Sequence, residues 1–300
     1  MIVAAGPCNY GGCLSRLLRD MSRCAQNYTQ TFCLGHQKSG TSVMARALST
    51  WKGFDSSTGG VYNGEAVLTC CGRSSNHSCV NHSRLSAPLF GGNMSRYFQL
   101  CSKPLGARVI KADDMLWDFD ALYAHARATC GVSMRFVFFV RHPMFVVRSL
   151  ISWWEQMRRM IKSRPPHPLA ERIYSGRDGR THLSPSWLAG RWRSAARVYL
   201  ADPSRWATMM RYEDFLSDPL AAVRKAVADM MGPLAARMVV PARVRAVVKT
   251  KQCRITGDYD HKEGDASSLF DAATTVQILS VCAAEMRAFG YSTRGADYRI

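Results

Sequence analysis

Thr31-Phe32-Cys33-Leu34, then Gly35-His36-Gln37-Lys38-Ser39-Gly40-Thr41-Ser42, then Val43-Met44-Ala45-Arg46-Ala47-Leu48: a short apolar run, a glycine-bounded loop and an apolar-periodic run follow one another. The order predicts a strand, an anion-binding loop and a helix. Backbone N–H groups at a helix start have no intrahelical partner, and Gly40 lets the chain curl so that these donors converge on one oxyanion. Lys38 adds a full positive charge, and Ser39, Thr41 and Ser42 add hydroxyls. The plain alternative is a glycine turn that does no more than start a helix.

On either side of that loop the chain changes character. Residues 1–30 show no convincing periodicity and are expected to form a stem or an extra N-terminal layer. Residues 52–105 are rich in Gly, Ser, Asn and Cys and read as an irregular insertion. Regular structure then resumes. Arg108 to Ala112 is predicted as a strand, Trp117 to Thr129 as an amphipathic helix, and Arg135-Phe136-Val137-Phe138-Phe139-Val140 as a strand buried on both faces. That strand delivers Arg141, and a helix bearing Arg148 and Ser149 follows. Lys162 to Pro185 is polar and Pro-rich and reads as a loop near the mouth of the site. Beyond it come a helix from Trp187 to Leu200, a buried strand from Trp206 to Met210, and the motif Arg211-Tyr212-Glu213-Asp214. Asp218-Pro219-Leu220 reads as a capped helix start. Strands alternating with helices predict a three-layer α/β domain around a central parallel sheet over residues 31–300.

An ordinary nucleotide-triphosphate loop would place the lysine after the second glycine, whereas here it stands two positions before Gly40. Lys38-Ser39-Gly40-Thr41-Ser42 instead resembles the 5′-phosphosulfate loop of the sulfotransferases, which take a sulfuryl group from 3′-phosphoadenosine 5′-phosphosulfate (PAPS). Gln37 stands where that family usually has proline. The run from Arg135 to Ser152 resembles the family's 3′-phosphate motif, which implies Arg141 and Ser149 as phosphate ligands, with His142 in place of the usual aspartate. The Arg-Tyr-Glu-Asp segment resembles the one that closes the family's core. This implies that Tyr212 lies against adenine and that Glu213 and Asp214 organise loops.

Lys249, Lys251 and Arg254 resemble in place the family's late basic loop, and Arg254 is carried as a cofactor ligand. The resemblance implies a P-loop NTPase-like (sulfotransferase) fold. It also implies that Lys38 stabilises charge on the bridging oxygen and that Ser39, Gly40, Thr41 and Ser42 hold the 5′ end. No metal is called for.

The catalytic base is expected among two carboxylates. Glu65, in Tyr62-Asn63-Gly64-Glu65, resembles the glutamate that follows the loop helix in protein-tyrosine and many carbohydrate sulfotransferases. Asp113 takes the place of the cytosolic enzymes' catalytic histidine. Glu65 is preferred because the ending around Ile278, Cys282, Met286, Phe289 and Gly290-Tyr291 resembles that of Golgi carbohydrate sulfotransferases. His167 and His182 stand behind both.

Composition points the same way. A formal charge of +18 favours anionic partners, though no zinc-finger spacing, ribonucleoprotein motif or basic heptad helix suggests nucleic acid. No run reaches the about 18 apolar residues needed to cross a bilayer. Four of the six asparagines open Asn-x-Ser/Thr sequons, at Asn27, Asn76, Asn81 and Asn93. The eleven cysteines cluster early, at Cys8, Cys13, Cys24, Cys33, Cys70, Cys71, Cys79 and Cys101, which suits an oxidising lumen. A carbohydrate hydroxyl in the Golgi is the expected acceptor. A phosphotransferase on a related fold and a non-catalytic polyanion-binding protein are the competing readings, the first needing a lysine after the second glycine and acidic magnesium ligands.

Overall fold

The run from Arg135 to Val140 lies inside the sheet, between two other strands, and because both of its faces are apolar it is covered on both sides. A computed structural model describes residues 29–51, 61–63, 108–111, 116–117, 119–128, 133–161, 184–255 and 269–293. Its strands are β1 (Thr29–Gly35), β2 (Val61–Asn63), β3 (Arg108–Lys111), β4 (Ser133–Val140) and β5 (Thr208–Arg211). They form a five-stranded sheet in the order β2-β3-β1-β4-β5. Every pairing is parallel.

The helices are α1 (Thr41–Leu48), α2 (Phe119–Ala128), α3 (Pro143–Ile161), α4 (Pro185–Ala201), α5 (Tyr212–Ser217), α6 (Pro219–Met231), α7 (Pro233–Arg237), α8 (Pro241–Ile255) and α9 (Ala272–Ala288). Strand alternation sorts the core into two. Phe32, Leu34, Phe136, Phe138 and Val140 face α2, α3, α4 and α9. Cys33, Val137, Phe139 and Met210 face α1, α5, α6 and α8. The result is a mixed α/β architecture with a parallel sheet covered by helices on both sides. Among the described residues, no helix is long and apolar enough to cross a membrane.

Several sequence expectations are refined. Val61–Asn63, inside the stretch read as irregular, pairs with β3 as the edge strand, with Asn63 opposite Lys111. Three residues are too few to show a period of two. The helix expected from Trp187 starts at Pro185, where a missing N–H costs nothing, and Ser184 accepts the Trp187 N–H as its cap. Asp218 caps α6 by accepting the Ala221 N–H at 2.9 Å, with Pro219 at the first turn. Lys249, Lys251 and Arg254, placed by resemblance in a late loop, lie instead on α8, and the Arg254 side chain is outside the described residues. Cys33, counted with the early cluster, is buried in the core, as is Cys282. The other early cysteines and all four sequons lie outside the described residues.

Candidate active site

Strand order sets where a ligand can sit. From β1 the chain passes into α1 on one face of the sheet, whereas from the adjacent β4 it passes into α3 on the other. The two connections part at the carboxyl ends of neighbouring strands, which opens a crevice between them. The loop 35–40 and Arg141 follow directly on those two strand ends.

The loop is a tight turn. The Ser39 N–H donates to the His36 carbonyl at 3.1 Å, and the Val43 and Met44 N–H groups then donate to the Gly40 carbonyl at 3.1 Å. Lys38 is the one non-glycine residue with positive φ among the described residues, at 69°, and Gly40 follows at 80°. Gly40 is the N-cap of α1 and provides no side-chain acceptor, and the first turn of that helix carries no acidic residue. The positive end of the α1 dipole is therefore not neutralised by an acidic side chain of its own first turn. Gly40 is required for a second reason: a Cβ there would fall 2.2 Å from the Tyr212 ring.

Tyr212 thus lies beneath the loop. Its buried ring also carries the Arg141 guanidinium, whose central carbon is 4.5 Å from the centroid. Arg141 leans on Phe145 as well, at 5.3 Å. Its Nη1 donates to the Lys38 carbonyl at 3.4 Å, and the Arg141 carbonyl accepts the Trp192 indole N–H at 2.9 Å. Burial lowers the Arg141 pKa from its ordinary value, opposed by the nearby Tyr212, Glu213 and Tyr291. The Arg141 Nε and the Ser39 hydroxyl are buried without a hydrogen-bond partner among the described residues. Two orphaned polar groups flank a loop whose helix has no acceptor at its cap, a combination suited to an incoming oxyanion.

The Lys38 ammonium rests 4.7 Å from the centroid of the Trp153 ring, on the third turn of α3. Nothing in the sequence pointed to Trp153, because its contact is made across two elements. Ser149 lies on the second turn of α3, half-buried, with no hydrogen bond to Arg141. Glu65 and Asp113 lie outside the described residues, as do His167 and His182. The chain leaves the two paired strand ends, Asn63 and Lys111, two residues before each of these carboxylates.

His142 performs the capping that aspartate would perform at the same place. Its Nδ1 accepts the Met144 N–H at 3.3 Å, and its carbonyl starts α3 by accepting the Val146 N–H at 3.2 Å. Capping through Nδ1 requires a neutral ring. Burial, followed by the charges of Arg141 and Arg211, lowers its pKa to about 3. His36 is also buried and neutral, with its pKa lowered to about 4 by burial, reinforced by Arg191 and opposed by the Gln37 carbonyl 2.8 Å from its Nδ1. In the unfolded chain both rings take a proton near pH 6.5. Their stabilising effect is therefore complete above pH 6.5 and is lost as pH falls toward the folded values. At pH 5 each costs on the order of 2 kcal/mol. Urea midpoints should fall between pH 7.5 and 5, and His36→Gln should remove about half of that slope. An unchanged slope in that variant would mean that His36 is not buried as a neutral ring.

No protein-family model matches this chain, and no curated protein matches it significantly. The chemistry of the site therefore has to follow from its own residues.

Proposed function

We propose that this chain is a PAPS-dependent sulfotransferase with a P-loop NTPase-like fold, and that its acceptor is a hydroxyl, most simply on a carbohydrate in the Golgi lumen. The observation that carries the reading is the meeting of the Lys38 loop with Arg141 at the switch point of a parallel sheet, with the Arg141 Nε and Ser39 Oγ left unpartnered. A donor with phosphate groups at two positions needs two such cation-bearing anchors, one at each end of its ribose. The lumenal location is supported by the sequons and the early cysteines.

PAPS supplies an activated sulfuryl group. The α1 N-terminus, with Ser39, Gly40, Thr41 and Ser42, would hold its 5′ end, and Arg141 with Ser149 its 3′-phosphate. Lys38 would neutralise charge growing on the bridging oxygen. To do so its ammonium must leave Trp153. A cation–π contact at a half-exposed site is worth about 0.5–1 kcal/mol, less than a charge-assisted bond to an oxyanion, so the exchange is downhill. Glu65, or else Asp113, would take the acceptor proton. Tyr212 would border the cofactor while supporting Gly40, and Arg254 is kept as a further ligand from the end of α8.

Calorimetry with 3′-phosphoadenosine 5′-phosphate (PAP) against ATP, with and without magnesium, tests the reading. Micromolar PAP binding that ignores magnesium supports it. Magnesium-dependent ATP binding would favour a phosphotransferase, and indifference to both nucleotides a polyanion-binding protein. Arg141→Ala should weaken PAP binding about a hundredfold while changing saturated turnover only a fewfold, because the 3′-phosphate is remote from the reacting sulfur. Unchanged PAP affinity would move the donor site away from β4.

A further inference from the structure

We infer that Glu213 and Tyr291 form a positioning pair that holds Arg141 in its ligand-ready place. The inference rests on the reading of Arg141 as a phosphate ligand.

Glu213, in the first turn of α5, uses both oxygens. Its Oε1 accepts the His142 backbone N–H at 2.8 Å, and its Oε2 accepts the Tyr291 hydroxyl at 2.7 Å. His142 is the residue directly after Arg141, at the point where β4 gives way to α3. The carboxylate therefore pins the backbone from which the arginine projects.

Tyr291 is brought there from the far end of the chain by the stop of α9. The Gly290 N–H donates to the Arg287 carbonyl at 3.0 Å, and the Tyr291 N–H to the Met286 carbonyl at 2.9 Å. With Gly290 at φ 73°, this is a Schellman turn, and it sends the tyrosine back toward the sheet. The ring packs edge-on against His142 at 5.2 Å and beneath the Arg211 guanidinium at 4.5 Å. Burial and the Glu213 charge raise its pKa well above the ordinary value, so it remains a donor at any working pH. One hydroxyl thus completes the coordination of the carboxylate that fixes the β4–α3 junction. Without it, one oxygen of a half-buried carboxylate loses its donor, and the junction is free to relax.

The pair stands behind Arg141 and acts through His142 rather than on either substrate. Tyr291→Phe should therefore raise the Kd for PAP about tenfold, leave the acceptor KM unchanged and keep a near-native melting temperature. Amide exchange followed by mass spectrometry should show faster exchange, about tenfold, in the segment joining β4 to α3. Glu213→Ala should reproduce both effects. Glu213→Gln should largely restore them, because its carbonyl can still accept from His142 and its amide can donate to the Tyr291 oxygen. A Tyr291→Phe protein that matches the wild type in PAP affinity and in junction exchange overturns the inference, as does a Glu213→Gln protein as impaired as Glu213→Ala. Should Tyr291→Phe fail to fold, the two Glu213 variants decide. If PAP does not bind the wild-type protein, the donor reading falls, and junction exchange alone decides the positioning pair.

Discussion

Lys38→Ala is expected to lower turnover a hundredfold or more while the protein stays folded. On the proposed reading the lost ammonium is the one cation of the donor-binding loop, and removing such a charge from a developing oxyanion typically costs a few kcal/mol of transition-state stabilisation. The fold should survive for two reasons. Alanine has the same Cβ as lysine, so φ 69° is no more strained than before, and the contact with Trp153 that is lost is worth only about 0.5–1 kcal/mol. Product formation from PAPS and a panel of glycan, peptide and alcohol acceptors, read by mass spectrometry, checks both the rate and the acceptor class. A variant with near-normal turnover would remove the central support of the sulfotransferase reading.

The second large effect concerns the base. Glu65→Gln is expected to preserve PAP affinity and reduce turnover by roughly 10²–10⁴-fold, the range for loss of a general base. Asp113→Asn should then be mild. A carboxylate base works only when ionised, so the wild-type rate should fall on its acid side with one apparent pKa, and that limb should change when the true base is replaced. Because β2 and β3 end side by side at Asn63 and Lys111, either carboxylate follows a strand end on the same side of β1. A crippled Asp113→Asn beside an active Glu65→Gln would assign the role to the aspartate that follows β3. If neither variant loses more than a fewfold, both assignments fail and His167 or His182 becomes the next candidate.

These effects are separable from one another because the site divides by element. On the proposed reading, the loop after β1 would govern the reacting end of the donor, Arg141 after β4 its remote end, and Glu65 or Asp113 the acceptor proton. The positioning pair acts on the second alone. A variant that altered donor affinity and acceptor KM together would instead point to a general loosening of the sheet edge.

Elements with strong local signals are legible in the amino-acid sequence. The apolar run of β4, the glycine turn into α1 and the Asp218-Pro219 helix start each follow from interactions within a few residues, and each appears with close to its expected bounds. The same locality explains what is illegible there. The edge strand β2 is held by pairing with β3, and Cys33 is buried by α1 packing on its face of the sheet.

The candidate site shows the division most plainly. Local sequence dictates which residue types stand at the ends of β1 and β4, and so that a lysine, hydroxyls and an arginine occupy the carboxyl side of a parallel sheet. It does not dictate that Tyr212 fills the space a side chain at position 40 would need, or that Glu213 reaches Tyr291, both of which arise from packing between distant elements. The physical reason is distance along the chain. Backbone conformation and capping are settled by neighbours a few residues apart, whereas a hydrogen bond between residues 213 and 291 exists only after α9 has packed against α4 and its Schellman turn has returned the chain to the sheet.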